Sequence, residues 1–77
     1  MNVIYSSHHY LVTEFPGIDG CELIKKNPGV GTYFQGAAAA NFRNMLGQAA
    51  AEDSSLDNID EFLGKYDALL NQPAIYH

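Results

Sequence analysis

The chain changes character once, at the junction formed by residues 32–36, and this change constrains its fold more than any other feature. Before the junction, short stretches rich in β-branched and aromatic residues alternate with glycine and proline turns, a pattern typical of strands. After it, the alanine run at residues 37–40 opens a segment with helical spacing. A strand half followed by a helix half predicts an α+β domain.

We predict a single domain over residues 1–77 with two layers. An antiparallel sheet of four to five short strands occupies about residues 2–35, and two C-terminal amphipathic helices at about residues 37–51 and 55–71 pack on one of its faces. Ser54 is the expected N-cap of the second helix. Residues 74–77 are short and apolar, and they predict an added edge strand.

Strand alternation assigns side chains to faces, but not yet to the core. In the second predicted strand, Leu11 and Phe15 share one face, whereas Tyr10 and Val12 share the other face with the carboxylate of Glu14. We therefore expect Leu11 and Phe15 to lie in the core. The stretch at residues 21–26 ends in two lysines, which is typical of a strand near an exposed edge.

Size and charge narrow the classes of function. A domain of 77 residues with one cysteine has a marginal core and no internal disulfide, so oligomerisation is the expected source of added stability. Four scattered lysines and arginines and a net charge of −5 disfavour binding to nucleic acid or to an anionic membrane. We expect no signal peptide, no spanning helix and a soluble cytoplasmic protein.

Few residues are candidates for chemistry. His8 and His9 are adjacent in a predicted turn, and His77 joins them as a weak metal candidate if the chain end lies near the hairpin. Cys21 is a nucleophile only if His8 or His9 reaches it across the sheet. Adjacent residues of an extended chain point to opposite faces, and a lone cysteine is more often a small buried side chain. We therefore predict no catalytic residues, no metal and no cofactor.

A second pattern favours self-association. Gly36, Ala40 and Gly47 gather on one side of the first predicted helix, beside Arg43 and away from the apolar stripe that contains Phe42. Small residues there let a second backbone approach closely, although alanine is also simply a strong helix former. Tyr5 and Tyr33 are further interface candidates, because tyrosine suits interfaces as well as core margins.

Five short motifs give the chain a resemblance to a family. They are Ile4-Tyr5-x-Ser7, Glu22-Leu23-Ile24-x-Lys26, Gly36-x-x-Ala39-x-x-Phe42, Ile59-Asp60-Glu61-Phe62-Leu63, and the closing residues from Gln72-Pro73 to His77. Together they resemble a small bacterial family of stand-alone chains of unknown function. The resemblance implies a free-standing bacterial protein and implies no activity. The alanine run and the histidine pair depart from that pattern.

Together, these observations predict a non-enzymatic homodimer that acts as an interaction or regulatory protein, with a partner that the sequence does not identify. A small enzyme that depends on metal, histidine or cysteine is one alternative. A module that binds a small ligand is another.

Overall fold

The computed structural model of the chain describes residues 1–70 and the backbone of residues 72–73. Five strands and two α-helices follow in chain order. They are β1 (Asn2–Ser6), β2 (Tyr10–Phe15), β3 (Gly20–Lys25), β4 (Val30–Gln35), α1 (Ala37–Glu52), α2 (Leu56–Gly64) and β5 (Gln72–Pro73). Short 3-10 turns occupy Pro16–Ile18 and Asp67–Leu69.

The strands form one antiparallel sheet in the order β1-β2-β3-β4-β5. The first four therefore follow one another as a meander, and β5 adds to β4 through Val30 and Gly31. Both helices come after this meander, and the fold is α+β as predicted. The described part of the chain contains no helix that is long and apolar enough to cross a membrane.

The core lies between the helices and one face of the sheet. Tyr10 and Val12 of β2 and Leu23 of β3 pack there with Phe42 of α1 and Leu63 of α2. The placement of Leu11 and Phe15 in the core was therefore wrong. These residues are half-buried on the opposite face. Glu14 misled the assignment, because its carboxylate lies on the core side and pairs there with the Arg43 guanidinium at 3.4 Å.

The prediction that β3 lies near an exposed edge was also wrong. β3 is the central strand, between β2 and β4, and five of its six residues are buried. Lys25 at the end of the strand and Lys26 just after it have specific acceptors instead. Lys25 pairs with Asp67 at 3.0 Å, and Lys26 donates to the Ser7 carbonyl at 2.6 Å.

Helix α1 begins at a sharp change of direction. Gly36 has a φ of 63°, in the region that favours glycine, and its N–H donates to the Asp19 carbonyl at 2.9 Å. Phe42 then reaches the middle of the core. Its ring centroid lies 4.6 Å from that of Phe34 on β4 and 5.2 Å from that of Tyr66 after α2. The aromatic rings thus join both helical segments to the sheet.

The helix predicted at residues 55–71 is shorter in the structure. Ser55 rather than Ser54 caps it, and the Ser55 hydroxyl accepts from the Asn58 N–H at 3.2 Å. The Asn58 side-chain amide donates to the carbonyls of Ala49 and Asp53, at 3.1 and 2.9 Å, and so joins α2 to the end of α1. Helix α2 ends at Gly64 and a 3-10 turn follows. The strand predicted at residues 74–77 lies outside the described residues.

Candidate interaction surface

A groove runs between edge strand β1 and the adjacent side of α1, and we call it the edge groove. Its volume is about 280 Å³. Among the residues that the structure describes, seven from three elements line it: Ile4, Tyr5, Arg43, Leu46, Gly47, Ala50 and Ile59. Six of these seven carry no formal charge. The edge groove is therefore an apolar surface at the open side of the sheet.

An irregularity in β1 brings two neighbouring side chains into the edge groove. The register between β1 and β2 pairs Val3 with Thr13 and Tyr5 with Val12, so Ile4 is an extra residue on the β1 side. In a regular strand, Ile4 and Tyr5 would point to opposite faces. The bulge lets both line the groove, and Ile4 is 41% exposed there.

Hydrogen bonds to α2 hold Tyr5 in place. Its hydroxyl donates to Asp60 Oδ1 at 2.8 Å and lies 3.3 Å from the Leu56 carbonyl oxygen. The Ser7 hydroxyl donates to the same Asp60 oxygen at 2.8 Å. Burial raises the pKa of Tyr5, and the hydrogen bond to Asp60 raises it further. The Tyr5 phenol therefore stays protonated and acts as a fixed wall of the groove.

Two carboxylates balance the charge of Arg43, the charged residue among the seven that line the groove. Arg43 Nε lies 3.4 Å from Glu14 Oε2, and Arg43 Nη2 lies 3.7 Å from Asp19 Oδ1. A cation with two carboxylate partners has little net attraction for a further anion. The edge groove is therefore suited to an uncharged, apolar occupant rather than to a phosphate or a free carboxylate.

The structure separates the predicted interface residues into two groups. Tyr5, Arg43 and Gly47 line the edge groove together. Ala40 is exposed on α1 outside this lining, and Gly36 is accounted for by its backbone angle at the helix start. Tyr33 lies on the sheet face opposite the helices, where its ring covers Gly20 so closely that a Cβ on that glycine would overlap the phenol.

The predicted chemical residues do not converge among the described residues. His8 and His9 are exposed in the β1–β2 turn, with ring centroids 5.1 Å apart. Cys21 is fully buried near the opposite end of the sheet, beside Glu14 and Phe34 in the strand register. His77 lies outside the described part of the chain. Within that part, no group of three or more His, Cys, Asp or Glu side chains is placed to hold a metal ion.

Burial also opposes nucleophilic chemistry at Cys21. Removal from water raises the pKa of its thiol to about 11, although the nearby Arg43 charge lowers it in part. The thiolate is the reactive form of cysteine. At neutral pH, Cys21 is therefore a small apolar core side chain.

Sequence reasoning did not identify four residues of the edge groove: Ile4, Leu46, Ala50 and Ile59. Helical periodicity correctly placed Leu46 toward the sheet and Ile59 on the apolar side of α2. The groove forms because β1 is an edge strand and bulges at Ile4. Neither the strand order nor the bulge has a signal in this sequence.

Comparison with known proteins identifies relatives of the whole chain. A curated protein of Burkholderia thailandensis, Protein BTH_I0359, is 39% identical over 85 aligned residues that cover all of both chains. No solved structure matches the chain. The family model described as "Protein of unknown function (DUF3567)" matches residues 1–77. The chain belongs to this family.

Proposed function

We propose that this chain is a non-enzymatic interaction protein that forms a homodimer through the edge groove. The observation that carries the proposal is the position of the groove. An apolar depression lies directly beside β1, which pairs with β2 alone among the described strands. Sheet edges of this kind offer backbone groups and side chains to a further chain.

The composition of β1 supports a second copy as the occupant. Its residues, Asn-Val-Ile-Tyr-Ser, include no charge and no proline, so the strand itself adds no charge repulsion between two copies. Val3 is 56% exposed and Ile4 41% exposed, and Leu56 at the start of α2 is 56% exposed. A two-fold axis beside β1 sets the same apolar residues of both copies against each other, which an isologous interface requires.

The bulge suggests how the two copies meet. Because it interrupts the regular spacing of backbone groups at Ile4, side-chain packing carries most of the contact. We expect the Ile4 side chain of each copy to pack at the groove of the other. The small surface of Gly47 gives room for this approach, since no heavy atom beyond its own helix backbone and chain neighbours lies within 4 Å of a Cβ placed there.

Sedimentation equilibrium over a protein concentration series tests this proposal. Gly47→Glu places a carboxylate in the groove, and we expect it to raise the dimer dissociation constant by about 100-fold, or about 2.7 kcal/mol. Glutamate is a better helix former than glycine. The variant therefore keeps its fold, which far-UV circular dichroism verifies.

Asn44→Glu is the matched control. It adds the same charge to an exposed position of α1 outside the groove, and we expect less than a twofold change in the dissociation constant. A wild-type chain that stays monomeric at millimolar concentration contradicts the dimer. Equal effects of the two variants contradict the groove as its interface.

A further inference from the structure

A second depression lies on the other side of α1, between α1 and α2, and we call it the helix cleft. Its volume is about 220 Å³. Met45, Ala49 and Phe62 form an apolar floor, and Met45 is 42% exposed. The side-chain amide of Asn58 on α2 donates to the Ala49 carbonyl on α1, and this bond holds the two helices in position relative to each other. The depression is therefore a preformed groove between two helices, a shape into which the side chains of a third helix pack.

The charges around the helix cleft are unequal. Glu52 and Glu61 belong to its lining, and Lys65 is the cation among the described residues that line it. The Lys65 ammonium lies 6.0 Å from the centroid of the Phe62 ring, so it lies near the floor and at most partly offsets the two carboxylates. The lining therefore presents a net negative rim around an apolar floor.

The end of α1 adds to this negative potential. The last turn of α1 contains no basic residue, and the helix ends with Glu52 followed by Asp53 as its C-cap. The C-terminus of a helix carries partial negative charge and favours cations. Acidic residues in this position work against the stability of the free helix, but a cationic partner would gain from them.

We propose that the helix cleft docks a basic amphipathic helix of a partner protein. Its apolar residues, spaced three and four apart, pack on Met45, Ala49 and Phe62. Lysine or arginine along one flank meets Glu52 and Glu61. A second copy of this chain fits poorly in the cleft, because two such rims bring four carboxylates together against two lysines.

The test uses a defined probe. A synthetic amphipathic helix of about four turns, with a leucine stripe flanked by lysines, is titrated into the isotopically labelled chain of residues 1–77. A matched peptide carries glutamate in place of each lysine. We expect saturable amide shifts at Met45, Ala49, Glu52 and Glu61, with the lysine peptide bound at least about tenfold more tightly than the glutamate peptide.

Two variants separate docking from general attraction to an acidic protein. Glu61→Gln removes a rim charge, and we expect it to weaken binding of the lysine peptide about three- to tenfold. Asp67→Asn makes the same charge change at a position whose side chain is 43% exposed, outside the linings of the helix cleft and the edge groove, and we expect less than a twofold effect. Met45→Lys places a cation on the floor and should abolish binding.

Several results overturn the proposal. These are equal weakening by Glu61→Gln and Asp67→Asn, shifts centred on the edge groove, equal binding of both peptides, or no saturable binding at millimolar peptide. Sedimentation of Glu61→Gln and Asp67→Asn is measured in parallel. A change in self-association that only Glu61→Gln causes shows that a second copy occupies the cleft, which also overturns the proposal.

Discussion

Tyr10 and Tyr5 make the same kind of contact at two places between the sheet and the helical segments, but in different surroundings. Tyr10 is 6% exposed, and its hydroxyl donates to Asp67 Oδ1 at 3.0 Å. Asp67 also accepts from Lys25 at 3.0 Å. The Tyr5 hydroxyl donates to Asp60, whose second described donor is the Ser7 hydroxyl, and the Tyr5 ring is only half-buried.

The two tyrosines differ in how fully their rings are covered by the rest of the protein. At Tyr10, the hydroxyl of a buried ring donates to a carboxylate that is also paired with a lysine, and burial together with the hydrogen bond to Asp67 raises the pKa of Tyr10 to about 12. At Tyr5, the hydroxyl is equally well bonded, but one side of the ring remains available as the wall of the edge groove. A tyrosine bonded to an aspartate therefore completes the core at Tyr10, whereas at Tyr5 the same kind of pair supports the proposed interface.

Removal of each tyrosine ring should give the largest difference in stability between the two sites. We expect Tyr10→Ala to lower the free energy of unfolding by about 3–5 kcal/mol, because it leaves a cavity in a packed core. Tyr5→Ala should cost about 1–2 kcal/mol, since less of its surface is buried. Urea unfolding measures both losses. All samples have the same protein concentration, because association adds to the apparent stability. Equal losses would contradict the comparison.

Removal of the hydroxyls alone should give a smaller difference. We expect Tyr10→Phe to cost about 1.5 kcal/mol, because the lost bond has a charged acceptor and its donor belongs to a buried residue. Tyr5→Phe should cost about 0.5–1 kcal/mol, since Tyr5 as a whole residue is less buried than Tyr10, although both bonds are part-buried. Each carboxylate keeps another donor, Lys25 for Asp67 and Ser7 for Asp60. The same urea measurement applies, and a larger loss for Tyr5→Phe would show that the groove side is the more closed of the two.

Local pattern was sufficient for the fold class and insufficient for the surfaces. The change at residues 32–36 and the spacing of Phe42, Leu46, Ile59 and Phe62 are local signals, and they predicted the α+β class and the apolar sides of both helices. The choice of core face on β2 depended instead on Arg43, which lies far along the chain and neutralises Glu14. Alternation of side chains is the same whichever face is buried.

The edge groove could not be predicted from the sequence, because it too depends on residues that lie far apart along the chain. Tyr5, Arg43 and Gly47 were each selected as interface candidates, but their meeting depends on β1 lying at the sheet edge beside α1. Ser55 in place of Ser54 as the N-cap shows the same limit at short range. Either serine fits a capping pattern. The Ser55 N–H donates to Asp53 Oδ1 at 3.0 Å, and this bond fixes the turn in which Ser55 caps the helix.

The smallest expected effect is the pH dependence of stability that comes from Asp67, the acceptor of the Tyr10 hydroxyl. The hydrogen bond from Lys25 lowers the pKa of Asp67 from its ordinary value, and the bond from Tyr10 lowers it further against the opposing effect of burial. A carboxyl with a depressed folded-state pKa stabilises the fold at pH values above its unfolded pKa of about 3.9. This contribution is lost as pH falls through the folded pKa.

Asp67→Asn isolates that contribution. Because the Asp67 side chain is 43% exposed, water and salt screen the pair, and we expect the variant to lose only about 0.2–1 kcal/mol at pH 7. The difference from wild type should disappear in acid below the folded pKa of Asp67, where the wild-type carboxyl is also neutral. Urea unfolding of both proteins at pH 7 and in acid measures it. A difference that persists in acid would assign the loss to hydrogen-bond geometry at Tyr10 rather than to the charge paired with Lys25.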